Sequence, residues 1–167
     1  TAWCAACQRQ LDSQAPLLLF TPPPPLSAAA ATAWHEGIAR EAIHALKFEA
    51  SRTMASVLGL RMAAALSLLS WPVDGLVPVP LHATRKKERG YNQAEWLAEA
   101  AASQAGIECF PNGLVRIRST PHQVGASAAE RRANVADAFE PASGALQGRH
   151  VVLLDDVFTT GATLQAC

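Results

Sequence analysis

The sequence predicts an α/β fold built on an open, mainly parallel sheet that is flanked by helices. Residues 151–154 are four consecutive apolar residues, a run typical of a short strand buried in a parallel sheet. Residues 76–80 form a second apolar run, which a basic segment and then a helical pattern follow. Two strand-loop-helix units of this kind fit side by side in one parallel sheet. The length of 167 residues suits one domain with a sizeable core.

Composition gives no sign of an extended nucleic-acid or membrane surface. Half of the residues are hydrophobic and the formal net charge is zero, so a charged partner must be bound by a local patch. Arg61 interrupts the longest apolar stretch, residues 54–69, which is therefore too short to span a membrane. No export signal is visible, and we expect a cytoplasmic protein.

The chain begins with a pair of cysteines at the spacing of half a zinc knuckle, Cys4 and Cys7. A closed zinc site needs four ligands, and no histidine lies at a spacing that completes a finger. One interpretation is a Zn²⁺ site whose other half precedes Thr1, and the alternative is two unpaired cysteines in a frayed tail. We assign residues 1–21 to this partial zinc-knuckle segment.

Residues 22–25 are four prolines, for which we expect a stiff polyproline II spacer. This proline-rich linker, residues 22–26, separates the cysteine segment from the main domain, residues 27–167. Residues 28–34 are mostly alanine and favour neither strand nor helix. Apolar spacing then predicts helices over residues 36–48 and 52–69. Lys47 at the end of the first helix either lies near a phosphate or is solvated, and the spacing alone favours the solvated lysine.

The second apolar run, residues 76–80, contains two prolines that each remove a ladder donor, so we expect it at a sheet boundary or leading into an unusual turn. Asn92 and Glu95 form a capping-box pair that begins the next helix, and Gly106 ends that helix. Between the strand and this helix we predict a basic loop that offers cations at the end of the strand: Arg85, Lys86, Lys87 and Arg89.

The middle of the chain is basic and rich in turn residues. Residues 114–117 are compatible with a strand, and a segment punctuated by Pro and Gly follows. Residues 127–130 form a second capping box, which predicts a short helix carrying Arg131 and Arg132. Four further polar side chains lie in this region: Arg116, Arg118, His122 and Gln123.

Asp155 and Asp156 end the strand of residues 151–154, and a small, hydroxylated loop leads from them toward a helix start. In a parallel sheet, ligands bind where strands end, because loops and helix N-termini there present N–H groups to anions. This segment therefore predicts a phosphate cradle beside two carboxylates, and the alternative is an ordinary turn after a strand. The cradle residues are Thr159, Thr160, Gly161, Ala162 and Thr163.

Residues 151–163 read VVLLDDVFTTGAT and resemble the motif by which type I phosphoribosyltransferases bind phosphoribosyl pyrophosphate (PRPP). The resemblance implies that Asp155 and Asp156 face the ribose hydroxyls while the loop from Thr159 to Thr163 holds the 5-phosphate. The basic loop, with Mg²⁺, would then meet the pyrophosphate. The resemblance also implies that a mobile loop from the middle of the chain closes over the substrate, which makes Arg131 a further candidate. The alternative is a solvated loop and a charged helix face.

Four segments together are similar to the ComF family of phosphoribosyltransferase-like competence proteins. They are LKF at 46–48, VPVPLHATRKKERGYNQAEWLA at 77–98, RIRSTPHQVGASAAERRANVADAF at 116–139 and VVLLDDVFTTGATL at 151–164. The family typically carries an N-terminal cysteine knuckle, which fits Cys4 and Cys7. Compared with the family pattern, half of the knuckle is missing, and the chain ends at Cys167 before the strand and helix that normally close the sheet.

Two functions follow from these resemblances. The first is an enzyme that binds PRPP or a related ribose 5-phosphate with Mg²⁺ and transfers a phosphoribosyl group with release of pyrophosphate. The alternative is a non-catalytic competence protein that binds single-stranded DNA, works with DNA-uptake proteins and keeps a PRPP-like site. The sequence identifies neither a general base nor a segment that recognises the acceptor.

Overall fold

The computed structural model describes residues 3–22, 24–119, 128–142 and 144–167. The helices are α1 (Ala5–Asp12), α2 (Gly37–Phe48), α3 (Arg52–Leu68), α4 (Ala83–Arg89), α5 (Gln93–Ala105), α6 (Ala128–Val135) and α7 (Ala162–Ala166). The strands are β1 (Leu18–Phe20), β2 (Ala29–Ala31), β3 (Gly75–Pro78), β4 (Glu108–Cys109), β5 (Leu114–Arg116), β6 (Phe139–Pro141) and β7 (Val151–Leu154). A single 3₁₀ turn, Gly144–Leu146, precedes β7 in this part of the chain.

The central sheet has the strand order β4-β3-β7, and all three strands are parallel. Two antiparallel pairs, β1 with β2 and β5 with β6, lie outside it. Helices flank the sheet, with α5 packed on β3 and α3 packed on α5. The predicted α/β fold with an open, mainly parallel sheet is therefore confirmed.

Side chains of the central strands alternate between two cores, as the pleat of a strand requires. Leu76 and Leu154 belong to the larger core beneath α2, α3 and α5, whereas Val77 packs on the opposite face with Phe110. The first three residues of β7 are only half buried, although the sequence predicts a buried strand. The reason is that β7 has a neighbour on one side only in the described sheet.

The position of β3 differs from the prediction, because β3 lies in the centre of the described sheet and not at its boundary. The backbone N–H and C=O groups of successive strand residues point to opposite sides of the strand. Those of Leu76 face β4, because its carbonyl oxygen accepts a hydrogen bond from Phe110 N–H at 2.8 Å. Pro78 faces the same side, two residues beyond Leu76, where β4 has already ended at Cys109. Its missing donor therefore removes no bond of the ladder.

The predicted basic loop is wrong, since Arg85, Lys86, Lys87 and Arg89 lie on helix α4. The segment is rich in good helix formers. The His82 side chain accepts a hydrogen bond from Thr84 N–H at 3.4 Å at its start, and Gly90 adopts the left-handed conformation, φ +85°, at its end. Because a helix displays its side chains on different sides, the four cations cannot all meet one ligand.

The other helices match their local sequence signals. Helices α2 and α3 occupy the predicted ranges to within one residue. Asn92 caps α5 by accepting the Ala94 N–H at 3.1 Å, and Gly106 ends it with φ +68°. Glu95, which the capping-box pattern pairs with Asn92, instead forms an ion pair with Lys86 at 2.9 Å. The predicted strand near residue 114 is confirmed as β5.

The described part of the proline stretch, Pro22, Pro24 and Pro25, does not continue as the predicted extended polyproline II spacer. Pro24 and Pro25 lie in a turn, because β1 and β2 pair antiparallel and the chain between them must reverse. On the N-terminal side of this turn, Leu11 of α1 is fully buried in the larger core. The segment of residues 1–21 therefore contacts the main domain directly.

Among the described residues, no helix has both the length and the apolar character needed to cross a bilayer. His122, Gln123 and Ser127, with the capping box predicted there, lie outside the described residues. Helix α6 begins directly after them, at Ala128, and contains Arg131, whose side chain is also outside the description.

Candidate functional site

Asp155 and Asp156 follow the carboxyl end of β7, at the edge of the sheet where β3 also ends. The parallel register pairs Pro78 with Leu154, so the segments that follow both strands begin side by side. The Asp155 Oδ1 atom accepts the backbone N–H of Asp156 at 2.8 Å. This bond fixes the Asp155 carboxyl relative to the backbone of Asp156.

Lys47 is in direct contact with this acidic pair. Its Nζ atom forms an ion pair with Asp156 Oδ2, and the two side chains are 24% and 5% exposed. The solvated lysine that the spacing favours is therefore wrong. A carboxylate this deeply buried requires a counter-ion, and α2 supplies it because its C-terminal end reaches the carboxyl end of β7.

Burial first, and then the negative charge of Asp156, raise the pKa of Asp155 to about 8, although Lys47 acts in the opposite direction. The carboxyl of Asp155 therefore keeps its proton far more readily than an exposed aspartate does. Asp156 holds the charge that Lys47 neutralises. The two adjacent carboxyl groups thus differ in their environment, although the sequence assigns both the same role.

Gln93 connects the acidic pair to helix α4. Its Nε2 atom donates to Asp156 Oδ1 at 3.4 Å, and its Oε1 atom accepts a hydrogen bond from Arg89 Nη1. Sequence reasoning missed this residue as part of the site. The available signal was its place in the RGYNQ segment, which the family resemblance includes but to which no role was given.

The predicted phosphate cradle, Thr159 to Thr163, lies within residues 157–164, which with Asp155 line a small pocket of about 20 Å³. Its last two residues, Ala162 and Thr163, already belong to α7. Gly161 adopts the left-handed conformation, φ +74°, directly before α7, and Thr160 Oγ1 accepts the Ala162 N–H at 3.4 Å. The segment also contacts strand β1, because the centroid of the Phe158 ring lies 4.8 Å from that of the Phe20 ring. The order of strand, acidic pair, loop and helix agrees with the sequence.

A second, larger cavity lies beside the acidic pair, and we call it the basic cleft. Its volume is about 440 Å³, and seven residues line it: Lys47, Phe48, Ala50, Arg85, Glu88, Arg89 and Tyr91. Arg85 and Arg89 are one helical turn apart, which places both on the face of α4 that lines the cleft. Lys86 and Lys87 do not line it, and Lys86 is paired with Glu95.

Aromatic side chains form part of the wall of the basic cleft. Tyr91 stacks on Trp96, with ring centroids 4.0 Å apart and planes inclined by 10°, and its hydroxyl donates to Leu46 O at 2.6 Å. Phe48 is the last residue of α2, and 68% of the residue is exposed. The cleft therefore combines two arginines with aromatic surface, a combination by which proteins bind single-stranded nucleic acids.

The arginines of the middle segment bind protein groups. Arg118 Nη2 donates to the backbone oxygens of Asn134, at 3.2 Å, and Ala136, so it fastens the β5–β6 pair to α6. The Arg116 guanidinium lies 5.2 Å from the Phe139 ring, and burial, followed by the charge of Arg85, lowers its pKa.

Cys4 and Cys7 lie together at the start of α1, with their Sγ atoms 3.4 Å apart. Hydrogen bonds from Cys7, the backbone one first, lower the pKa of Cys4 and so favour its thiolate. This pair fits two of the four ligands of a zinc site. Across the described residues, no group of three or more His, Cys, Asp or Glu side chains is placed to hold a metal. Zinc binding therefore stays a prediction.

Comparison with known proteins finds similar chains among competence and DNA-utilization proteins. The chain is 38% identical to competence protein F of Haemophilus influenzae over 122 residues, which are 71% of this chain and 53% of that protein. It is 34% identical to the DNA utilization protein YhgH of Escherichia coli K12 over 128 residues, 73% of this chain and 56% of that protein. Competence protein ComFC of Bacillus subtilis is 34% identical over 89 residues, 53% of this chain and 34% of that protein.

The chain thus spans about half the length of the first two of these relatives. No protein-family model and no solved structure matches it.

Proposed function

Since the chain belongs, over the region shared with these relatives, to the ComF family of competence proteins, we propose that it binds single-stranded DNA in the basic cleft. The names of the relatives, competence protein and DNA utilization protein, support a role in handling DNA. In this role the protein acts by binding and works alongside proteins of DNA uptake. The α/β fold with its parallel sheet is then a scaffold for the cleft.

The observation that carries this proposal is the convergence of Arg85 and Arg89, beside the Lys47–Asp156 ion pair, in one cleft of a chain whose net charge is zero. Binding to a nucleic-acid backbone is driven by cations that replace its counterions. The local pair of arginines supplies this term even though the whole protein carries no excess charge. The two arginines can each bind a phosphate through two N–H groups.

Salt dependence tests the proposal. We would measure binding of a fluorescently labelled oligothymidine of fifteen nucleotides to the 167-residue chain by anisotropy, over a series of salt concentrations. The expected result is affinity that falls steeply with salt. In the double variant Arg85→Gln/Arg89→Gln, two lost phosphate contacts reduce the slope of log K against log salt by about 1.4.

Lys87→Gln is the matched control, because Lys87 lies on the same helix but outside the cleft and is exposed. We expect its slope to stay close to that of the unchanged protein. Undetectable or salt-independent binding would refute the proposal. An equal loss in the control would show that only the general charge of α4 matters.

A second candidate function is binding of PRPP or a related ribose 5-phosphate, with transfer of the phosphoribosyl group. The observation that favours it is the acidic pair and hydroxylated loop at the same sheet edge as the basic cleft. A nucleophile would displace pyrophosphate from carbon 1 of the ribose. Arg85 and Arg89 would stabilise the charge on the departing pyrophosphate, and the Asp155 carboxyl would orient the ribose hydroxyls.

Mg²⁺ belongs to this second candidate. The loop offers carboxylate and hydroxyl oxygens, the ligand types that Mg²⁺ accepts together with substrate phosphates. Asp155 would bind Mg²⁺ only as a carboxylate, so the ion would displace the proton that burial favours there, whereas the Asp156 carboxylate is already neutralised by Lys47. The ion would supply further neutralisation of the pyrophosphate charge.

Calorimetric titration of Mg²⁺ and PRPP into the chain tests this candidate. We expect heat of binding that the double variant Asp155→Asn/Asp156→Asn loses while circular dichroism shows that it remains folded. Absence of binding to the unchanged, folded protein would leave DNA binding as the sole proposed function.

A further inference from the structure

The ring of Phe48 is an aromatic surface that protein contacts leave mostly uncovered. It lies at the C-terminal end of α2, directly after Lys47, and 68% of the residue is exposed. His44, one helical turn earlier, contacts the ring at 4.7 Å between centroids with the planes inclined by 42°. The Arg89 guanidinium lies over the ring at 5.9 Å from its centroid, near the outer limit of a cation–π contact.

Tyr91, the other aromatic residue of the basic cleft, already contacts protein groups through both its ring and its hydroxyl. Trp96 stacks on its ring at 4.0 Å, and Arg52 lies 3.8 Å from the centroid of the Trp96 ring. The Tyr91 hydroxyl donates a hydrogen bond to the backbone oxygen of Leu46, two residues before Phe48. Tyr91 therefore fixes the end of α2, so that the Phe48 ring is presented by a rigid element before any ligand arrives.

A single strand alternates phosphates with unpaired bases, and the cleft carries partners for both. Arg85 and Arg89 are suited to phosphates, and an aromatic face beside them is suited to the π-face of a base. A duplex keeps its bases stacked inside and offers the cleft only its backbone. From this juxtaposition we infer that Phe48 is the stacking platform for one nucleobase of single-stranded DNA.

This inference rests on the proposed DNA binding and adds to it the group that distinguishes a single strand from a duplex. The cations supply affinity for any nucleic-acid backbone, and the Phe48 ring supplies a contact that an unpaired base alone can make. Because every base has a π-face, the contact carries little sequence preference.

The test compares Phe48→Ala with the unchanged 167-residue chain on three labelled probes of equal length. They are an oligothymidine, an abasic strand with the same phosphates, and a duplex. We expect Phe48→Ala to bind the oligothymidine about tenfold more weakly, since one stacked base is lost. Its affinities for the abasic strand and the duplex should match those of the unchanged chain.

Two further variants complete the design. Trp34→Ala is the matched control, because Trp34 is an aromatic residue exposed to a similar degree that does not line the cleft, and it should bind all three probes normally. Phe48→Tyr keeps an aromatic face and should restore oligothymidine binding.

Each contrary outcome identifies what has failed. If Phe48→Ala binds the oligothymidine normally while Arg85→Gln/Arg89→Gln binds it weakly, the cleft binds phosphates only and the inference is wrong. An equal loss on all three probes would mean a general change in the cleft, which also overturns it. If the unchanged chain binds none of the probes, the proposed function itself is wrong.

Discussion

At the scale of single residues, the site depends on how the adjacent carboxyl groups of Asp155 and Asp156 are stabilised in a buried environment. Asp156 is almost completely buried and is neutralised by Lys47, whereas burial raises the pKa of Asp155 to about 8. Two unpaired negative charges at this position would cost several kcal/mol. Pairing one carboxylate and favouring the proton on the other removes most of that cost.

The first prediction concerns the ion pair itself. Lys47→Met leaves the Asp156 carboxylate buried without a counter-ion and should lower the free energy of unfolding by about 3 kcal/mol at pH 7. The double variant Lys47→Met/Asp156→Asn removes both charges and should recover much of that loss. Urea denaturation followed by circular dichroism measures both changes.

Lys86→Met provides the control for this prediction. Lys86 also pairs with a carboxylate, Glu95, but its side chain is 51% exposed, so its removal should cost less than 1 kcal/mol. Strictly additive effects of Lys47→Met and Asp156→Asn would contradict a direct coupling between the two residues.

At the scale of elements, the close packing of α3 on α5 supports the face of the sheet beneath the larger core. Gly59 is the point of closest approach, because a Cβ atom placed there would lie 2.5 Å from Ala100 Cβ and 3.1 Å from Ala101 N. Neither atom can move without moving the backbone of α5. Helix α5 in turn begins with Asn92 and Gln93, which positions Gln93 to reach Asp156.

The second prediction is that Gly59→Val destabilises the protein by forcing α3 away from α5. We expect the free energy of unfolding to fall by about 2 to 3 kcal/mol, because the added side chain meets backbone atoms. Thermal and urea denaturation measure the change.

Ala64→Val, on the exposed side of the same helix, isolates the effect of a β-branched residue on helix propensity and should cost less than 1 kcal/mol. Similar losses for the two variants would show that the contact with Ala100 adds no cost at Gly59, since Val is a better helix former than Gly.

At the scale of the whole molecule, Arg61 joins the N-terminal segment to the rest of the domain. Its guanidinium donates to three backbone oxygens, those of Thr32 at 2.7 Å and of Gln14 and Ala15 at 2.9 Å each. Burial lowers the pKa of Arg61, and Asp12 at 3.8 Å opposes that shift. Together with the buried Leu11, these bonds hold α1 and the β1–β2 pair on the body of the protein.

The third prediction is that Arg61→Leu loosens the N-terminal segment more than the central sheet. Loss of three charge-assisted hydrogen bonds should lower the local free energy of opening by about 2 kcal/mol. Amide hydrogen exchange should therefore speed up in α1 and in β1, and much less in β3 and β7.

Arg40→Leu, at an exposed position of α2, should leave this exchange pattern unchanged. Uniformly faster exchange throughout the chain in Arg61→Leu would mean that Arg61 supports global stability and does not act as a local fastening.

Local sequence patterns predicted much of this protein. The ranges of α2 and α3, the Asn92 cap, the end of α5 at Gly106 and the strand of residues 151–154 all follow from side-chain periodicity and from hydrogen bonds within a few residues. The order of that strand, the acidic pair and the small hydroxylated loop is local as well. These features depend on neighbours in the chain, which is why the sequence by itself determines them.

The tertiary structure decided which residues share a site. Lys47 meets Asp156 only because β3 and β7 pair and α2 packs against their ends, and no local pattern encodes that distance. Because α4 is a helix, its basic residues point to different sides, so that Arg85 and Arg89 line the cleft and Lys86 and Lys87 do not. Pairing of β1 with β2 likewise placed Pro24 and Pro25 in a turn. Contacts between residues far apart in the chain form only when the elements are packed together, so they were not readable from spacing.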